Sequence, residues 1–214
     1  MNTQELLTLS PVIPVIVIED LTSAIGLAQA LAAGGIRALE VTLRSPAALD
    51  AIQAISEQVP DAVVGVGTVR TPGQLESALK AGARFSVSPG LTEDLAHAAA
   101  HCGVPFLPGV ATASEAMRAA ELGFSALKLF PAEAVGGAAL LKSWWGPLPE
   151  LRFCPTGGVH ANNMAAYLSL PNVACVGGSW LTPKSAVQGR QWPVITDLAR
   201  QACDIALGVS HTGH

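Results

Sequence analysis

The sequence predicts an α/β fold, a closed (β/α)8 TIM barrel forming one domain over residues 1–214. Three observations carry this expectation. A chain of 214 residues suits one such unit, because α/β barrels commonly fill about 200–250 residues as a single domain. Short apolar, β-like runs alternate with amphipathic stretches from end to end, with no shift in composition. Half the residues are hydrophobic and only 13% are charged, as suits parallel strands covered on both faces. Right-handed strand–helix–strand units build a parallel sheet, and eight of them close on themselves. An open doubly wound sheet is the alternative.

A short leading helix is expected at about residues 3–9, then a first strand, VIPVIVI, over 12–18. A helix should run from Asp20 to about Ala33. The second strand, IRALEVTL, spans 36–43, and its helix opens at Ser45 with Pro46 in the first-turn position that proline tolerates. The third strand, AVVGVGTV, spans 62–69, and Thr71-Pro72 starts the next helix. The fourth, RFSVS, ends at Pro89-Gly90, with Thr92 placed to cap the helix after it. The fifth, VPFLPGV, precedes Thr112-Ala113-Ser114-Glu115, a capping-box pattern. The sixth, SALKLF, ends at Phe130-Pro131. The seventh, LRFCP, runs into Thr156-Gly157-Gly158, and the eighth, VACVGG, ends at Ser179. A last helix is expected over roughly 193–207, with a polar, frayed tail from about 208.

In such a barrel, chemistry gathers where the strands end on their C-terminal side. Lys128 is the outstanding residue there. Strand side chains alternate, so Leu127 and Leu129 share the helix-facing side while Lys128 points inward with Ala126 and Phe130. Lysine is rarely buried without a use, and a neutral amine in such a place is a nucleophile for carbonyls. The alternative is a strand-end lysine that snorkels to solvent. The second strand repeats the pattern: Leu39, Val41 and Leu43 on one face, Glu40, Thr42 and Arg44 on the other. Inside a barrel these charges must be paired or used. Either Glu40 and Arg44 form a structural ion pair, or Glu40 is a general base and Arg44 clamps a substrate carboxylate. Thr156-Gly157-Gly158 and Gly177-Gly178-Ser179 follow the last two strands, where such barrels frequently bind phosphate through close-approaching amides, whereas a lone Gly-Gly usually marks only a turn.

Other classes find less support. Net charge is −4, from 12 basic and 16 acidic residues with no basic run, so no nucleic-acid partner is expected. No stretch of about 18 apolar residues is free of Gly, Pro or charge, so no membrane partner is expected. The start, MNTQELLTLS, lacks the pattern of a signal peptide. Cys102, Cys154, Cys175 and Cys203 are widely spaced and read as free thiols of a reducing cytosol. His97 and His101 share a helix face but lack a third metal ligand, so no metal is expected. Trp144 and Trp145 suit either core or a contact between subunits. A non-catalytic phosphometabolite-binding barrel would need the glycine loops, but not Lys128, Glu40 and Arg44 together.

Six segments then stand in order: EVTLR at 40–44, GVGT at 65–68, SPGL at 88–91, KLFPAE at 128–133, RFCPTGG at 152–158 and GGSWL at 177–181. Together they resemble the bacterial 2-dehydro-3-deoxy-6-phosphogluconate aldolases, which also often act on 4-hydroxy-2-oxoglutarate. The match covers about residues 10–207. The resemblance implies a homotrimeric class I aldolase of the Entner–Doudoroff pathway, without cofactor or metal, and the cysteines place it in the cytoplasm. Its substrate is a phosphorylated keto-acid, cleaved to pyruvate and glyceraldehyde 3-phosphate. A galactonate-derived epimer of that substrate is the alternative. By the same resemblance Lys128 is the Schiff-base lysine and Glu40 the acid/base. Arg44 and Thr68 contact the pyruvate carboxylate, and Thr156 a substrate hydroxyl. Gly157, Gly158, Gly178 and Ser179 bind the phosphate, while Pro89 and Phe130 wall the site. Leu129 stands where the family has a second aromatic, on the outward face.

Overall fold

A computed structural model describes residues 1–211. Nine strands are found among them: β1 (Val12–Ile16), β2 (Ala38–Thr42), β3 (Val63–Gly67), β4 (Ser86–Val87), β5 (Phe106–Leu107), β6 (Gly109–Val110), β7 (Ala126–Leu129), β8 (Arg152–Pro155) and β9 (Val176–Gly178). The helices are α1 (Thr3–Thr8), α2 (Ala24–Ala33), α3 (Ala48–Gln58), α4 (Pro72–Lys80), α5 (Glu93–Ala100), α6 (Ala113–Glu121), α7 (Gly137–Trp144), α8 (Met164–Leu168), α9 (Lys184–Gln188) and α10 (Trp192–His211). A 3-10 turn, Leu21–Ser23, precedes α2, capped by Asp20.

The expected closed (β/α)8 TIM barrel is corrected by the hydrogen-bond ladders. Every strand pair is parallel, but the strands form a curled six-stranded sheet, in the order β5-β4-β3-β2-β1-β9, and a separate three-stranded sheet, β6-β7-β8. Each break falls at particular residues. The expected fifth strand is divided at Pro108, which has no N–H to offer a ladder. Phe106 and Leu107 pair with β4, whereas Gly109 and Val110 pair with β7. On the other side, β8 meets its neighbour only through isolated bridges, Phe153 to Val173 and Thr156 to Gly177. Between those bridges one strand advances from 153 to 156 and the other from 173 to 177, so the extra residue spoils the register as a bulge does.

The two sheets nevertheless share one interior. Leu6 and Leu7 of α1 pack there with Ile13, Ala38, Val63, Phe85, Ala126 and Cys154. Ile13, Ala38, Val63 and Ala126 lie at or near the N-terminal ends of their strands and Phe85 just before β4, so α1 closes that end. The opposite faces of the strands, including Leu39, Val41, Leu127 and Leu129, pack under the helices. Leu129 is fully buried on that outer side. Several helix starts agree closely with the sequence pattern. Thr71 and Thr92 cap α4 and α5, and Thr112 with Glu115 forms the expected capping box on α6, each cap stabilising its helix by about 1 kcal/mol. The last helix continues to His211 rather than stopping near 207. The rest of the expected frayed tail, residues 212–214, lies outside the described residues.

Candidate active site

β7 places Lys128 inside the molecule. Its backbone N–H donates to the Pro108 carbonyl at 2.9 Å, and its register neighbours are Gly109 and Cys154. The residue is 4% exposed, and its Nζ lies 3.3 Å from Glu40 Oε1. Glu40, from the middle of β2, is 2% exposed. The amine also stands 5.2 Å from the centre of the half-buried Phe130 ring, where the face of an aromatic favours a cation. A buried amine and carboxylate in contact satisfy one another while both remain close to any carbonyl admitted between them.

Glycine makes room for this pair. A Cβ on Gly67 would overlap Glu40 Oε1 and stand 2.7 Å from its Cδ. The carboxylate therefore occupies the space that a side chain at 67 would take. Gly177 does the same for Thr156, whose Oγ1 would be overlapped by a Cβ there. Thr156 is 4% exposed, donates to the Cys154 carbonyl at 3.3 Å, and lies two residues beyond the register partner of Lys128.

Arg44 departs from its expected place. β2 ends at Thr42, and the Arg44 N–H turns back to the Thr42 carbonyl at 2.8 Å. The guanidinium is thus exposed beyond the strand rather than inside, and the alternative Glu40–Arg44 ion pair is not formed: Glu40 meets Lys128, and Arg44 Nε donates to Thr68 Oγ1 at 3.2 Å. Thr68 holds φ 61°, a left-handed conformation unusual for a β-branched residue and costing about 1–3 kcal/mol. Pro89 is exposed, with its carbonyl against Gly109.

The bridge from Thr156 to Gly177 sets the two glycine loops side by side. Gly157 and Gly158 have φ of 100° and 80°, which only glycine adopts freely. Their carbonyls accept from the Glu133 N–H and from Asn163 Nδ2, both at 3.0 Å. Glu133 in turn accepts from the hydroxyl of buried Tyr167, and burial with this partner pushes the phenol above its ordinary range. Gly178 is buried and Ser179 exposed. A cavity of about 590 Å³ has Val15, Val17 and Ser179 in its wall. Lys128 and Glu40 are not in that wall, but Val15 stands opposite Glu40 in the β1–β2 ladder.

Sequence pattern carries no signal for Tyr167, and Glu133 is visible in it only as part of KLFPAE. The crowding of Gly67 by Glu40 depends on side-chain reach, which spacing alone does not reveal. Among the remaining candidates, His97 and His101 are exposed on α5 and at its C-cap. Trp144 packs on Phe153 with centroids 5.6 Å apart, while Trp145 is exposed beside the Arg152 guanidinium. Among the described residues, no group of three His, Cys, Asp or Glu is placed to hold a metal ion, and no helix is long and apolar enough to cross a membrane.

Comparison with known proteins bears on this arrangement. The family model described as KDPG and KHG aldolase matches residues 3–198. A 2-dehydro-3-deoxy-phosphogluconate aldolase of Pseudoalteromonas atlantica is 50% identical over 208 residues, 97% of each chain. A KHG/KDPG aldolase of Escherichia coli is 48% identical over 203 residues, 95% of each. Among solved structures, a KDPG aldolase from Legionella pneumophila, with pyruvate captured at low pH as a covalent carbinolamine intermediate, superposes with a TM-score of 0.92 at 47% identity, covering 94% of this chain and 98% of that one. With a family model matched over most of its length and relatives near half identity spanning nearly all of it, the chain belongs to the KDPG and KHG aldolase family and is an aldolase, a carbon–carbon lyase.

Proposed function

We propose that the chain cleaves 2-dehydro-3-deoxy-6-phosphogluconate to pyruvate and glyceraldehyde 3-phosphate through a Schiff base on Lys128, and that it also accepts 4-hydroxy-2-oxoglutarate. The observation that carries this reading is the contact between the Lys128 amine and the Glu40 carboxylate at 3.3 Å inside a largely apolar interior. The carbinolamine held by the Legionella pneumophila relative is the kind of adduct that such an amine forms.

The steps follow from the groups. Lys128 passes a proton to Glu40 and its free amine adds to the C2 ketone to give a carbinolamine; Glu40 returns the proton to the departing hydroxyl, and loss of water leaves an iminium. That cation draws electrons from the C3–C4 bond. Glu40 takes the proton of the C4 hydroxyl, the C3–C4 bond breaks, and the aldehyde departs. The remaining enamine is protonated at C3, and water releases pyruvate and regenerates Lys128. Arg44 and Thr68 hold the pyruvate carboxylate, and Thr156 contacts a substrate hydroxyl. Pro89 and Phe130 wall the reacting end. Gly157, Gly158, Gly178 and Ser179 bind the distal phosphate, whose remote binding orients the breaking bond. Trimeric assembly, which rests on the family resemblance, and a cytoplasmic setting, which rests on the widely spaced cysteines, belong to the same proposal; sedimentation of the purified chain tests the first.

Borohydride added with pyruvate tests the core of the reading. It should inactivate the enzyme and leave one reduced pyruvate adduct, located on Lys128 by peptide mass mapping. An adduct on any other lysine, or undiminished activity, would overturn it.

A further inference from the structure

The groups assigned above to the distal phosphate are all neutral: backbone amides of three glycines and one hydroxyl. The cavity that contains Ser179 also has four charged residues in its wall, two of each sign: Lys184, Arg190, Glu19 and Asp20. A dianion approaching Ser179 therefore meets two carboxylates whose charge is offset only by their cationic partners. Those partners are held differently. Arg190 is tied twice, to Thr22 Oγ1 at 2.6 Å and to Asp20 at 3.8 Å. Lys184 makes one ion pair, from Nζ to Glu19 Oε1 at 2.8 Å, between side chains that are 69% and 56% exposed. That pairing lowers the Glu19 pKa from its ordinary value, through the hydrogen bond first and the charge second.

We infer that Lys184 is a further binding residue for the distal phosphate, exchanging Glu19 for the anion when substrate enters. Three features support the exchange. The Ser179 carbonyl accepts from the Thr182 N–H at 3.1 Å and its Oγ1 at 3.3 Å, and this turn leads directly into α9, where Lys184 is the first residue. Lys184 and Ser179 thus share one cavity wall a single turn of chain apart. An exposed ion pair is weakly held and screened by salt, so its opening costs little. A lysine ammonium on a flexible stem redirects its donors more readily than the twice-tied Arg190, and a phosphate dianion offers it more charge than the carboxylate it leaves.

This inference rests on the phosphate reading proposed above, so the test separates the two. Aldol addition of pyruvate to glyceraldehyde 3-phosphate and to D-glyceraldehyde gives a ratio of kcat/KM values that measures phosphate recognition. Lys184→Met should lower that ratio about 10-fold, chiefly through the KM of the phosphorylated aldehyde, and should flatten its dependence on ionic strength. Lys184→Arg should retain most of the ratio. Glu19→Gln should raise it, because the competing carboxylate is removed. The opposite signs for Lys184→Met and Glu19→Gln are the decisive result, since a purely structural tie predicts the same loss from both, on both aldehydes and in thermal stability. A ratio lowered by Ser179→Ala but intact in Lys184→Met overturns the role of Lys184 alone. A wild-type enzyme with no preference for the phosphorylated aldehyde overturns the phosphate reading and this inference with it.

Discussion

Glu40 and Arg44 leave the same short stretch of chain four residues apart and end in opposite settings. Glu40 is 2% exposed against Lys128, whereas Arg44 stands in solvent and holds Thr68. The difference separates an interior governed by strand alternation from a rim governed by turns. Interior groups have no water to replace a lost partner, so each depends on the other. Rim groups exchange partners with solvent and ligand at low cost. Substitutions should therefore have large, coupled effects inside and smaller, substrate-dependent effects outside.

The largest effect should come from Lys128→Met. Loss of the proposed nucleophile should reduce turnover on the order of 10⁴- to 10⁶-fold. The same change leaves the Glu40 carboxylate buried without its partner, and should cost about 3–5 kcal/mol in denaturant unfolding. Adding Glu40→Gln should recover part of that stability and none of the activity. If the two changes are additive in a double-mutant cycle, the interior is not a coupled region.

Gly67→Ala should come next. The added methyl falls on the Glu40 carboxylate, so Glu40 must move. Turnover should drop on the order of 10²-fold, with about 1–3 kcal/mol of overpacking. Pyruvate should still form the borohydride-trapped adduct on Lys128. Full activity in this variant would show that the placement of Glu40 matters less than its presence.

Ser179→Ala probes the rim. One lost hydroxyl should reduce efficiency about 10- to 150-fold on the phosphorylated substrate, while efficiency on 4-hydroxy-2-oxoglutarate should fall far less. An equal fall on both would place Ser179 with the interior groups after all.

Tyr167 gives the smallest effect at neutral pH and the clearest one in alkali. It is the chain's single tyrosine, so its ionisation is read directly from tyrosinate absorbance. Its folded pKa is raised above the ordinary 10.0, by burial first and by Glu133 second. The folded state thus favours the neutral phenol. That contribution is intact below about pH 10 and is lost as pH rises beyond it, because the unfolded chain ionises first. Tyr167→Phe should remove this alkaline slope in melting temperature. An ordinary titration in the native protein would contradict the burial of the hydroxyl.

Legibility in the sequence divides along the same line. Alternation places Glu40 and Lys128 on the inner faces of their strands and Leu129 on the outer one, because period two is fixed by backbone geometry. The threonine caps are legible because capping is local. The open ladder is not, since Pro108 and one extra residue before Gly177 decide which strands pair, and both act through tertiary register. Alternation puts Arg44 inside only if β2 runs two residues past its actual end, and the turn after Thr42 leaves no such mark in the pattern. Tyr167 and Lys184 are invisible, for each matters through a partner more than 30 residues away in the chain.

The division at Pro108 also bears on how the chemistry is tuned. Glu40 belongs to the six-stranded sheet and Lys128 to the three-stranded one. The pair proposed to carry the chemistry therefore spans the two sheets, and its 3.3 Å gap depends on how one sheet is packed against the other.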